Sequence, residues 1–271
     1  MPDVVDTARN LLAGARRIVV LTGAGVSRES GVPTFRGDEG LWKSFRPEEL
    51  ATPEAFGRDP ELVWGWYAWR RRLVAPCRPN AAHRAMARLA AGHGGVSLVT
   101  QNVDGLHELA ATEAGAPRPL ALHGSLFRSR CTRCDYARDE PRQASPAGEP
   151  GDDHGPGDDG PVPACPRCGA LLRPDVVWFG ESLDPELLGA AWRAAEEADV
   201  CLVVGTSGVV QPAASLAAVT RQGGGAVVEV NPEPTPLTPL ATVSIRAGAA
   251  ATVPAILGGF APHDPETSDA R

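Results

Sequence analysis

Arg17-Ile18-Val19-Val20-Leu21-Thr22-Gly23-Ala24-Gly25-Val26-Ser27 decides the fold of this 271-residue chain. The first half is a continuous β-branched and aliphatic run, not an alternating one. That is the pattern of a strand buried on both faces. Glycines directly after such a strand allow a tight turn. They also let the backbone approach a pyrophosphate, with the next helix's N-terminus pointing at it. The segment is not a full Gly-x-Gly-x-x-Gly, because Arg28 stands where the third glycine would be. A purely structural turn stays open on this segment alone.

Similar runs recur at 96–102, 119–123, 200–205, 226–231 and 243–245. Helical stretches lie between them at 81–91, 185–198 and 212–221. Strand–helix–strand repetition predicts an α/β fold, a Rossmann-like doubly wound parallel sheet covered on both sides. With 43% hydrophobic and 22% charged residues, the chain can bury a full core and is neither fibrous nor disordered. No stretch approaches the roughly 20 apolar residues of a membrane helix. The segment Met1-Pro2-Asp3-Val4-Val5-Asp6 lacks the marks of a signal peptide, so a cytoplasmic location and no membrane partner are expected. A net charge of −7 argues against a nucleic-acid partner, since such affinity comes from cations that displace counterions.

Two segments break the rhythm and predict a smaller domain. Residues 38–78 read as a helical insertion, with Asp59-Pro60 as N-cap and first-turn proline. After it, Leu62, Trp66, Trp69 and Leu73 share one stripe and should face the core. Residues 128–171 carry Cys131, Cys134, Cys165 and Cys168. Cys-x2-Cys, a spacer and Cys-x2-Cys present four thiolates tetrahedrally to Zn²⁺. Four thiolates leave no open coordination position, so the ion is structural rather than catalytic. The acidic spacer argues against a nucleic-acid-binding zinc ribbon. Its Gly, Pro and Asp at 145–163 predict a flexible loop. The larger domain would then take 1–37, 79–127 and 172–260, with 261–271 a flexible tail.

The expected strand ends carry polar chemistry. Gln101-Asn102-Val103-Asp104 ends one, and three polar side chains there suit an amide-bearing ligand. His123-Gly124 ends another. An imidazole with an ordinary pKa near 6.5 suits proton abstraction at neutral pH. Gly205-Thr206-Ser207 and Asn231-Pro232 end two more. Open α/β sheets bind ligands at this rim. The usual acidic ribose-binding residue after a second strand is missing, which argues against an ordinary dehydrogenase.

Gly23-Ala24-Gly25-Val26-Ser27-Arg28-Glu29-Ser30-Gly31-Val32-Pro33-Thr34-Phe35-Arg36-Gly37 resembles the signature of the sirtuins, NAD-dependent protein-lysine deacylases. Thr100-Gln101-Asn102-Val103-Asp104-Gly105-Leu106-His107, His123-Gly124, the four cysteines, Phe179-Gly180-Glu181, Gly205-Thr206-Ser207 and Val230-Asn231-Pro232 match in the family's order. The resemblance runs from about residue 10 to 258. It implies that NAD and an acyl-lysine protein or peptide meet in a cleft between the two domains. Gly23, Ala24 and Gly25 would contact the pyrophosphate, and Thr34, Phe35 and Arg36 would belong to the cofactor loop. Asn102 and Asp104 would hold the nicotinamide end and Gln101 the ribose. Gly205, Thr206, Ser207 and Asn231 would hold the adenosine half. His123 would be the base, with Asn102 beside it at the reacting centre. The acyl oxygen would attack the ribose carbon as nicotinamide leaves, giving deacylated lysine and O-acyl-ADP-ribose. No side-chain nucleophile is needed. The peptide would add as a strand between 178–182 and 208–211, touching Val177, Trp178, Phe179, Gly180, Glu181 and Val209.

Tyr67-Ala68-Trp69-Arg70 resembles the Tyr-x-x-Arg of the sirtuin subgroup that removes succinyl, malonyl and glutaryl groups. Positions i and i+3 share a helix face, and a guanidinium with a phenol can hold a carboxylate. Ala51 would leave room for the longer chain. Against this, Arg70, Arg71 and Arg72 can be read as a solvated basic face, with Tyr67 in the core. A general deacetylase, a protein ADP-ribosyltransferase on the same scaffold and a zinc-bearing NAD sensor also remain open. Cys201 is expected in the core, His83, His93 and His154 at the surface, and His107 as a support for its loop.

Overall fold

The computed structural model describes residues 3–33, 50–142 and 160–258. Thr34, Phe35 and Arg36, the first part of the helical insertion, most of the acidic spacer and the tail lie outside them.

Six parallel strands form the main sheet. They are β1 (Ile18–Thr22), β2 (Val96–Thr100), β3 (Leu120–Ala121), β7 (Val200–Val204), β8 (Ala226–Val230) and β9 (Val243–Ile245), in the order β3-β2-β1-β7-β8-β9. The continuous runs have a direct cause. Ile18, Val20, Leu202, Val204, Val228 and Val230 face one core, shared with α1 (Val4–Gly14), α4 (Ala81–Gly92) and α8 (Ala249–Leu257). Val19, Leu21, Cys201, Val203 and Val227 face another, under α6 (Pro185–Glu196) and α7 (Ser215–Gln222). Every residue of β1 and β7 is therefore buried. The order of connection reverses between β1 and β7, so the loops leaving both strands open at the point where such sheets bind ligands.

Element bounds shift where side-chain patterning is weak. The third strand is two residues long, α6 ends at Glu196 and α7 begins at Ser215. Helices α1, α8 and α5 (Leu106–Ala114) lie outside the expectation. Helix α1 is capped by Asp3 and buries Ala8 and Leu12, one turn apart. Helix α8 is Ala-rich and contains Pro254, so its sequence carries little periodicity.

The smaller domain packs α2 (Pro53–Arg58) and α3 (Pro60–Val74) against an antiparallel sheet. That sheet has the order β5 (Ala137–Asp139), β4 (Gly124–Cys131), β6 (Leu172–Val176). In it β4 pairs with β6 from Gly124 opposite Val176 to Cys131 opposite Leu172. Asp59 caps α3 through the Leu62 amide, as expected. The core stripe of α3 is corrected. Leu62 is 38% exposed, Trp69 and Leu73 are half-buried, and Val63, Trp64, Trp66, Tyr67, Arg70 and Val74 are buried. The helix is covered on two sides. Trp64 packs on Cys131, Cys165 and Leu172, whereas Val63, Trp66, Tyr67 and Val74 pack with Ala55, Phe56, Leu126 and Trp178. A wide contact arc overrides a narrow stripe. The end of the spacer is also corrected: Val162 packs on both clusters, and the Leu172 amide donates to Pro163 O at 2.8 Å. Residues 145–159 of that loop lie outside the described ones.

Candidate active site and metal centre

The loops after β1 and β7 lie back to back. The Gly25 amide donates to Gly205 O at 2.8 Å, and a Cβ on Gly23 would stand 2.8 Å from Thr206 Cα. Gly205 has φ +59°, and a Cβ there would collide with the Val26 nitrogen. The glycines are thus required by loop-against-loop contact, whatever a pyrophosphate asks of them. A seven-residue 3-10 segment, Ala24–Ser30, follows in place of the expected α-helix. From it Glu29 reaches the Ala250 amide at 2.7 Å, at the start of α8.

The loop after β2 is held by buried hydrogen bonds whose directions can be worked out. His83 Nδ1 accepts from the Asn80 amide at 3.3 Å, so Nε2 carries the proton and donates to Ser27 Oγ, also at 3.3 Å. Ser27 Oγ also accepts from Asn102 Nδ2 at 3.2 Å. Its own proton is then left for the Asp104 carboxylate, with which it is bonded. Thr22 Oγ1 joins Thr100 Oγ1 at 2.9 Å and also lies 2.9 Å from His107 Nε2. His83 is therefore buried and structural, which corrects its expected surface position, and burial with the nearby Arg84 pushes its pKa down to about 4. His107 supports this loop as expected. Burial raises the Asp104 pKa, against the Leu106 amide that its carboxylate accepts at 2.9 Å. Gln101 Nε2 bridges to Thr206 Oγ1 at 3.0 Å, joining the β2 and β7 loops.

His123 Nδ1 lies 3.0 Å from Gln101 O. A carbonyl only accepts, so Nδ1 holds the proton and Nε2 is left as the basic atom. Burial lowers its pKa, although the Gln101 bond opposes this, so the ring is neutral at physiological pH.

A cleft of about 1160 Å³ opens between these loops and the small domain. Gly23, Ala24, Gly25, Gln101, Asn102, His123, Gly205, Thr206, Ser207 and Asn231 line one side. Ala51, Tyr67, Arg70 and residues 176–183 line the other. Its size and its glycine-walled loops at the sheet's switch point suit a dinucleotide. Asp104 lines a second, small pocket of about 20 Å³ together with Arg70 and Asn102, both of which also line the cleft. Val209 is exposed beside the lining residues Ser207 and Val210, and Phe179 is 53% exposed, with its amide on Ala51 O at 2.9 Å. The Val177 amide donates to His123 O at 3.0 Å. Glu181 turns inward instead. It accepts from Arg173 at 2.5 and 2.9 Å and from the Trp178 amide at 2.8 Å. Burial alone would raise its pKa, but these donors and Arg130 hold it below the ordinary value.

The solvated basic face does not form. Arg70 is 4% exposed, its guanidinium carbon 4.6 Å from the Trp66 ring centroid and 5.2 Å from that of Tyr67. Burial lowers its pKa to about 10, with Tyr67 and Asp104 opposing, so it remains a cation. Arg71 Nε donates to Leu126 O at 2.9 Å, and Arg71 stacks on Trp64. Sequence reading gave no role to Arg28, Glu29, Arg173 or His83. For Arg28 and Glu29 the available signal was two charged residues directly after a glycine turn. For Arg173 and His83 no local signal exists.

The four cysteine sulfurs all lie within 4.8 Å of one another, with Cys131–Cys168 at 3.4 Å and Cys134–Cys165 at 3.7 Å. A tetrahedral ion with bonds of about 2.3 Å sets sulfurs roughly 3.8 Å apart, whereas a disulfide would need about 2.05 Å. The cluster fits one structural zinc. Cys201 is in the core, and burial raises its pKa to about 12. Cys77 is buried, with its thiol on Leu73 O at 3.5 Å. Among the described residues no helix is long and apolar enough to cross a membrane.

The Sir2 family model matches residues 23–212. NAD-dependent protein deacylase 1 of Archaeoglobus fulgidus is 51% identical over 236 residues, 87% of this chain and 89% of the relative. The NAD-dependent protein deacylase of Thermococcus kodakarensis is 50% identical over 250 residues, 92% and 93% of the two chains. A crystal structure of a Sir2 homologue–NAD complex superposes with a TM-score of 0.81 at 47% identity, covering 95% of this chain and 93% of the other. A Sir2 complex with a deacetylated p53 peptide and 3′-O-acetyl-ADP-ribose gives 0.78 at 29% identity, covering 94% and 97%.

Proposed function

This chain belongs to the Sir2 family of NAD-dependent protein deacylases, and from that premise we propose that it prefers lysines carrying acidic acyl groups, succinyl or malonyl and by extension glutaryl, over acetyl-lysine. One observation carries the reading: Arg70, a buried cation, lines the cleft beside the Tyr67 hydroxyl and the small Ala51. An acyl carboxylate must lose water to enter such a pocket. Left unpaired there it would cost several kcal/mol, and a waiting guanidinium offsets that cost. A methyl group gains nothing from it.

When bound, NAD supplies the sugar carbon that receives the acyl oxygen and the nicotinamide that leaves. The chain's residues do the rest. Gly23, Ala24 and Gly25 with Gly205, Thr206 and Ser207 form the floor for the phosphates and adenosine, and Asn231 closes its outer end. Gln101 bridges floor to loop. Asn102, anchored on Ser27, and Asp104 hold the nicotinamide end. His123 Nε2 takes a ribose hydroxyl proton, and the Gln101 carbonyl, by holding the Nδ1 proton, fixes the tautomer and the position of the ring. The ordered outer turn at 177–181, pinned by Glu181, gives the substrate backbone an edge beside Val177, Phe179 and Gly180.

The test is kcat/KM on one peptide bearing acetyl-, malonyl-, succinyl- or glutaryl-lysine, with wild type and Arg70→Met. Removing one partner of a desolvated pair costs about 2–5 kcal/mol. The succinyl-to-acetyl ratio should therefore fall roughly 30-fold or more, at about 1.4 kcal/mol per decade. An equal loss on every acyl group, or a wild-type preference for acetyl-lysine, would leave only the general deacylase.

A further inference from the structure

Tyr67 and Trp178 stand 111 positions apart, and their polar atoms meet in the wall of the cleft. The indole Nε1 of Trp178 lies 2.9 Å from the Tyr67 hydroxyl, and both side chains are buried. An indole N–H can only donate, so the phenol oxygen is the acceptor. Arg70 is a partner of the same hydroxyl, and a guanidinium likewise only donates. The phenol's own proton takes no part in either contact. With two donors on the oxygen, that proton points away from both, and Tyr67 lines the cleft.

The indole is itself held from outside the pocket. The Arg173 guanidinium carbon sits 3.3 Å from its ring centroid, and the Phe56 ring 5.5 Å away. Arg173 is fixed by the paired bonds to Glu181, which also accepts the Trp178 amide. A continuous set of contacts thus runs from Glu181 through Arg173 and Trp178 to the Tyr67 hydroxyl.

We propose that Trp178 is a positioning residue for acyl specificity, its indole N–H directing the Tyr67 hydroxyl proton toward the acyl carboxylate. This rests on the acidic-acyl reading of the same pocket. Arg70 supplies the charge. Tyr67 supplies an aimed donor, and Trp178 supplies the aim. Without the indole N–H, the phenol is free to rotate and can spend its proton elsewhere. The loss then falls on substrates with an acceptor at the acyl end. It should enter through KM, since the carboxylate lies away from the reacting carbon.

The experiment is a double-mutant cycle on selectivity. Succinyl-to-acetyl ratios of kcat/KM are measured for wild type, Tyr67→Phe, Trp178→Phe and the double variant, with Arg70→Met alongside. Trp178→Phe should lower the ratio roughly tenfold, the worth of a hydrogen bond to a charged group, mostly through the succinyl-peptide KM. In the Tyr67→Phe background it should lower the ratio no further. If Trp178→Phe does not fold, 3-benzothienylalanine at 178 keeps the ring's shape and replaces only the N–H. If Arg70→Met collapses the ratio while loss of the indole N–H leaves it unmoved, or moves it equally in both backgrounds, this inference is overturned and the acidic-acyl reading stands. If Arg70→Met leaves the ratio unmoved, both fall.

Discussion

The two walls of the cleft are built by opposite means. The wall proposed for the cofactor is built on backbone, with loops from β1 and β7 pressed together at glycines where a methyl group would not fit. The acyl wall is side chain, an aromatic and cationic set from α3 and the 173–181 segment, where Phe56, Trp66, Tyr67, Arg70, Arg173 and Trp178 touch one another. A backbone wall has one shape, and its chemistry is set by which groups the strands bring to the rim. A side-chain wall can change its ligand by changing one residue. On the proposed reading, that difference would let a constant reaction stand beside a variable acyl group.

The largest expected effect lies where the walls meet. His123→Ala should cost about 10²–10⁴-fold in kcat, the usual worth of a positioned base, while circular dichroism shows an intact fold. Near-normal turnover would remove His123 from the chemistry. Next is the scaffold behind the acyl wall. Cys131→Ala should destabilise the small domain by about 4 kcal/mol or more, read as lost zinc by elemental analysis and a lowered unfolding temperature. Full stability without metal would mean the module does not need its ion.

A smaller effect tests the backbone wall directly. Gly205→Ala should cost about 2–4 kcal/mol, because it adds both a left-handed strain and a collision with the neighbouring loop. The control is Gly57→Ala in α2, where nothing lies within 4 Å of the new methyl. That change should stabilise by about 0.4–1 kcal/mol. Equal effects in thermal unfolding would show that the loops give way easily and that the contrast between the walls is weaker than described. The smallest effect is in pH dependence. Burial lowers the His123 pKa, so the base stays neutral to lower pH than a free imidazole. The acid limb of kcat/KM should then fall below the ordinary value of about 6.5. A limb above that value would mean that a nearby carboxylate, not burial, governs the ring.

Much of this was legible in the chain. Continuous apolar runs foretell strands buried on both faces, because alternate residues of β1 and β7 do feed two different cores. Polar strand ends foretell the rim, since parallel strands must all end on one side. The cysteine pairs foretell a metal centre, since two short knuckles can only converge. The Tyr67 and Arg70 spacing foretells a shared helix face. The errors came where one element meets two neighbours. The buried arc of α3 is wider than its stripe because the zinc module and the Trp178 segment cover it from two directions.

By itself the sequence determined the sheet, the rim and the inventory of chemistry, because those follow from local periodicity and from the residues at strand ends. Only the tertiary structure decided how that inventory is aimed. Periodicity does not tell that His83 steadies Ser27, that Glu29 reaches the start of α8, or that Glu181 spends its oxygens on Arg173. Nor does it tell that the indole of Trp178 meets a phenol 111 residues earlier. A hydrogen bond between distant segments depends on where packing brings two atoms within about 3 Å, and no local pattern in the chain carries that distance.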